Sequence, residues 1–193
     1  MAALKLLEKE HSDKSIEIIQ GDSNLALKDL CKTYDWKNTR AVLFLDPYGL
    51  QVEWATLEQI AKTKAIDVWY LFPLAGLYRP MPLNAKALDT DKENAINRIL
   101  GTVDWKPHFY KASPQTDMYD NSSDVRSANP KEILEFMSIR LKKLFPEVLE
   151  PKIFYTKQDR GSPLFALYFG ISNPSHKAIA TAKKIANHIL NSI

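Results

Sequence analysis

The chain has 193 residues, of which 45% are hydrophobic and 25% charged, with a formal net charge of +3. That length and apolar content describe one globular domain with a full core, and exclude a low-complexity or disordered chain. The single cysteine, Cys31, excludes a disulfide framework and a cysteine-built zinc site; the four scattered histidines show no ligand spacing, and no apolar run reaches membrane-spanning length.

The mild basicity permits an anionic partner without demanding one. The opening residues carry glutamates and no apolar stretch of signal-peptide type, so the expected compartment is the cytosol, with no membrane association. Residues 2–11 place Leu4 and Leu7 at helical spacing and predict a short amphipathic helix. "IEIIQGD" (16–22) reads as a strand ending in Gly-Asp. Residues 23–33 read as a helix that Ser23 or Asn24 caps, with Asp22 as the other capping candidate, and with Leu27, Leu30 and Cys31 facing inward. "RAVLFLD" (40–46) is a second strand, apolar on both faces as a central parallel strand covered by helices would be. A helix over 53–64 and a strand over 65–73, stopped by Pro73, complete a strand–helix–strand–helix–strand run. Short joints of this kind indicate right-handed crossovers in a parallel sheet.

The middle, about 80–146, reads as a helical and loop insertion within a single domain. A proline-rich connection leads into a polar helix over 86–101, which Gly101 stops. Residues 102–128 have little periodicity and many turn formers. The helix over 129–146 is announced by Asn129 at the cap and Pro130 at the first position. Residues 152–157 and 163–171 form an antiparallel hairpin, and 173–190 a final helix with Ala178, Ile179, Ala182, Ile185, Ala186 and Ile189 as its buried stripe.

Ligands of open parallel sheets bind beyond the carboxyl ends of the strands. There the reading places Asp22, Ser23 and Asn24 after the first strand, and Asp46, Pro47 and Tyr48 after the second. Arg79, following the third strand, is a candidate phosphate contact, although a solvated loop arginine is as good a reading. Arg160 fits an exposed turn better than a site. The aromatic–basic clusters Trp36-Lys37, Trp105-Lys106 and His108 to Lys111 suit stacking on single-stranded nucleic acid, but aromatics so placed more often serve as lids over the core.

The stretches "GDSN", "FLDPYGLQVEWATLEQIAKTKAIDVWYLFPL", "INRILGTVDW" and "RGSPLFALYFGISNP" together resemble the three-Cys-motif partner protein (TcmP) family, from about Ile16 to the end of the chain. That family is methyltransferase-like, and its name refers to a neighbouring protein that carries the three cysteines. The resemblance implies a Rossmann-like fold of the class I S-adenosylmethionine-dependent methyltransferases, a mostly parallel sheet with a C-terminal antiparallel hairpin. It also implies Asp22, Ser23 and Asn24 at the adenine end of an S-adenosylmethionine pocket. Asp46, Pro47 and Tyr48 would form the motif that accepts a target amine and stacks on a flipped base of nucleic acid. The form here is DPYG, with one proline where amino-methyltransferases commonly have two; enzymes acting on guanine amines of transfer RNA also use a single proline.

One departure is larger. The glycine-rich turn and the acidic residue that hold the rest of the cofactor have no counterpart before Ile16, so the fold reads as N-terminally truncated. Two expectations follow. The 16–22 strand pairs directly with 41–46 in a contracted sheet of about five strands, and this chain alone binds S-adenosylmethionine weakly or not at all. The alternative is a non-catalytic partner protein that keeps the fold for docking, with the three-cysteine protein as a possible partner.

Overall fold

A computed structural model describes residues 2–112, 124–157 and 161–192. It is a mixed α/β protein whose main sheet has five strands in the order β1-β2-β7-β5, with β6 also on β7. These strands are β1 (Ala41–Leu45), β2 (Ile66–Phe72), β5 (Glu147–Val148), β6 (Lys152–Tyr155) and β7 (Pro163–Ile171). Two short strands, β3 (Tyr110–Ala112) and β4 (Asp124–Arg126), pair separately.

The helices begin with α1 (Ala2–Glu10), α2 (Ser23–Thr33), α3 (Trp54–Lys62) and α4 (Leu74–Tyr78). They continue through α5 (Thr90–Leu100), α6 (Trp105–Phe109), α7 (Pro130–Leu144) and α8 (His176–Ser192). Most follow from local signals. Asn129 and Glu132 form a reciprocal capping box around Pro130. Gly101 ends α5 in the left-handed region at φ 65°. The cap of α2 is Asp22, whose carboxylate accepts from Leu25 N at 3.0 Å; it is neither Ser23 nor Asn24.

Three expectations need correction. Residues 15–20 form no strand, and no backbone hydrogen bond ties 15–21 to β1. The sheet still has five strands because Glu147–Val148 adds to the end of β7. Secondly, only β1–β2 is parallel; β2–β7, β5–β7 and β6–β7 are antiparallel, so the sheet is not mostly parallel. Thirdly, β1 is not central. It is an edge strand, with Val42 and Phe44 69% and 58% exposed. Apolarity on both faces marks burial in the folded unit only where something covers the second face, and sequence pattern carries no information on that.

The core lies on one side of the sheet. There Leu57, Ile60, Phe72, Ile96, Trp105 and Met137 are fully buried, so the inserted middle of the chain builds the main core. Trp105 is anchored by its indole N–H to Asn97 Oδ1 at 2.7 Å, and half-buried Trp36 by its indole N–H to Cys31 O at 2.9 Å. These two aromatics are core lids. Across the sheet, α8 is the one helix among the described residues that packs on Trp69, Leu167, Phe169 and Ile171, with Leu149 beside them. Of its expected stripe only Ala186 is buried, while Ile185 and Ile189 are 57% and 40% exposed.

Candidate functional site

β1 ends at Leu45, and the next residues lead into a turn. Gly49, at φ 62°, takes the left-handed conformation that closes this turn and that most residues avoid. Asp46 is exposed and Tyr48 is 87% exposed. Among the described residues neither side chain is in a hydrogen bond, ion pair or ring pair.

A cavity of about 330 Å³ opens beside this corner, and Gly21, Ser23, Asp46 and Pro47 all line it. Its apolar walls include Ile19, Leu27, Leu45 and Val52. The Gly21–Ser23 turn and the end of β1 thus border one cavity, although no strand pairing joins them. Asn24 and Tyr48 do not line this space, and Arg79 sits apart, exposed at the C-terminal end of α4. Arg160 lies outside the described residues.

The cofactor assignments fare differently. Asn24 is buried and committed to structure: its Nδ2 donates to Gln51 O at 2.9 Å, and its Oδ1 accepts from Glu53 N at 3.0 Å and Thr56 Oγ1 at 2.8 Å. These bonds tie the start of α2 to the turn before α3, and a half-buried Lys28–Glu53 ion pair of 2.6 Å reinforces the joint. Asp22 is spent on its own helix. Among the described residues Asp46 is the only ionisable one lining the cavity. S-adenosylmethionine carries an amino group, a carboxylate and a sulfonium, and a lone carboxylate cannot hold that set. The residues present do not fit the whole cofactor. Among the described residues no cluster of His, Cys, Asp and Glu is arranged to hold a metal ion.

A larger groove, about 690 Å³, was not foreseen. It runs between α8 and the open sheet face, with Arg40, Asp67 and Lys177 at one end and Val42, Trp69 and Ile189 along it. Burial raises the pKa of Asp67 above the ordinary carboxylate value, an effect opposed by the Ser172 N–H that donates to it at 2.9 Å. The signal in the sequence was the i, i+2 pair Val42 and Phe44 with the i, i+4 pair Ile185 and Ile189, which were assigned to a covered core.

The fold and this corner define a mixed α/β protein with a strand-end cavity. Comparison of the chain with protein-family models, with curated proteins and with solved structures gives no match. Among the described residues no helix is long and apolar enough to cross a membrane.

Proposed function

We propose that this chain is a binding component of a methyltransferase-like assembly: it docks another polypeptide along β1 and by itself transfers no methyl group. The single observation that carries this is β1, an apolar strand with one edge open among the described residues and two exposed large side chains, Val42 and Phe44. An unprotected edge beside an apolar face is a template for another chain. The methyltransferase-like setting rests on the resemblance to the TcmP family, whose three-cysteine neighbour is one candidate polypeptide.

A second reading is favoured by the cavity that groups Gly21, Ser23, Asp46 and Pro47. In it, Asp46 and Pro47 accept hydrogen bonds from an amino group of a nucleic acid base, Tyr48 stacks on that base, and Arg79 meets a phosphate. That reading requires S-adenosylmethionine to be held by residues other than those lining this cavity. Titration calorimetry with S-adenosylmethionine, alongside radiolabelled methyl transfer to transfer RNA and single-stranded DNA, separates the two readings. The docking reading expects neither heat nor incorporation from this chain alone. Saturable low-micromolar binding would sink it in favour of a self-sufficient enzyme.

A further inference from the structure

We infer that the polypeptide docking on β1 is a second copy of this chain, paired antiparallel through β1 about a two-fold axis at Leu43. The inference rests on the docking reading above and names its partner.

The backbone parity comes first. Ala41 N–H donates to Ala65 O at 3.0 Å, toward β2. Strand residues alternate in the direction of their backbone groups, so the N–H and C=O of Val42 and Phe44 face the open edge. β1 contains no proline, lysine or bulge, the devices that ordinarily protect such an edge. Antiparallel self-pairing must set outward-facing groups opposite one another, which a two-fold axis at Val42, Leu43 or Phe44 allows.

Charge selects among the three. An axis at Val42 sets Arg40 against Phe44 of the second copy, and one at Phe44 sets Asp46 against its Val42. Only the axis at Leu43 sets Arg40 against Asp46 of the second copy, twice over, and pairs Val42 with Phe44, a β-branched residue with an aromatic one. All four side chains are exposed; Val42 and Phe44 share one face by parity, Arg40 lines the groove beside Val42, and Asp46 lines the cavity beside Phe44. Among the described residues neither Arg40 nor Asp46 is in an ion pair. Arg40 Nη1 is steadied by the carbonyls of Trp36 and Thr39, at 2.9 and 2.7 Å. Ile19 and Gly21 stand near the edge across the strand-end cavity, but no backbone hydrogen bond holds residues 15–21 there.

Analytical ultracentrifugation of the chain tests this, together with amide hydrogen exchange of residues 41–45. The expected result is a concentration-dependent dimer. Arg40→Asp and Asp46→Arg should each weaken it by about tenfold or more, and the double exchange should restore it, because like charges directly opposite repel across strands. A dimer indifferent to these exchanges overturns the self-pairing. A monomer whose Val42 and Phe44 amides exchange freely overturns the second copy as partner and leaves the docking edge standing. A monomer with those amides protected overturns both, since the edge is then covered within the chain.

Discussion

Thr56 donates its hydroxyl to Asn24 Oδ1 over 2.8 Å, joining two buried residues that lie 32 positions apart. The same Asn24 holds Gln51 O and Glu53 N, so one amide organises the turn that carries the strand-end corner. Asn24→Ala strands three partners at once, buried Thr56, half-buried Glu53 and the carbonyl of exposed Gln51. The expected loss is about 2–3 kcal/mol, read as a fall in urea midpoint with unchanged slope. Asp22→Ala removes only an exposed cap and should cost about 1 kcal/mol. An equal loss for the two would refute the assignment of Asn24 to structure.

The tyrosines of the sheet give an opposed pair. Tyr70 is fully buried and its hydroxyl has no partner among the described residues. Tyr168, also buried, donates to Leu134 O at 3.0 Å and accepts from Ser138 Oγ at 3.3 Å. Burial raises the pKa of both phenols. Tyr70→Phe should stabilise the protein by about 1 kcal/mol, whereas Tyr168→Phe should destabilise it by about as much. Thermal unfolding of the two variants gives shifts of opposite sign.

Gly101 answers to a different constraint. A Cβ at this position would fall inside the Trp54 indole, and the residue sits at φ 65°. The Arg140 guanidinium lies 4.4 Å over that same indole, and its Nη2 donates to Gly101 O at 3.2 Å, so Arg140 links the ring to the glycine. Gly101→Ala should cost about 3 kcal/mol from strain and overpacking combined. Gly49, whose Cβ would meet nothing, should lose only the backbone preference, about 1 kcal/mol, on the same substitution.

Asp67 predicts a pH dependence. Its pKa in the folded protein is raised, chiefly by burial, so between its ordinary value of 3.8 and the raised one the folded state binds more protons than the unfolded state. Its contribution to stability is therefore fully present below 3.8 and is lost as the pH rises through the folded value. Asp67→Asn keeps an oxygen for the Ser172 N–H and removes the charge. The variant should match or exceed the natural protein in stability at neutral pH, and its stability curve should lack this acid-side slope. A variant clearly weaker at neutral pH would point to a favourable role for the ionised carboxylate.

What could be read in the sequence was what local chemistry fixes. The Asn129–Pro130 opening, the Gly101 stop and the β6–β7 hairpin all depend on neighbours a few residues away, and all three were legible. The corner at Asp46 was legible too, because a polar residue after an apolar strand marks a strand end. The fate of "IEIIQGD" was not: its apolar alternation suits a strand, yet a strand forms only where another supplies hydrogen bonds, and the segment has none. The structural bonds of Asn24 were illegible for a related reason. Its partners, Gln51, Glu53 and Thr56, are 27 to 32 residues away, and nothing near Asn24 in the chain distinguishes a ligand-binding amide from a structural one.

β7 pairs with β2, β5 and β6, so every pairing of the main sheet except β1–β2 passes through it. It also arrives late in the chain, and just beyond it the Ser172 N–H reaches back 105 residues to Asp67. This topology dictates an order of assembly. While the chain emerges from the ribosome, everything before Pro163 can gather its helices and a lone parallel strand pair, but it cannot close the sheet. Such a precursor must keep the inner face of β2 shielded by α3, α5 and α7 until β7 inserts. Folding should therefore be slow for a chain of this size, with a single late step in which β7 and α8 lock the half-built layer.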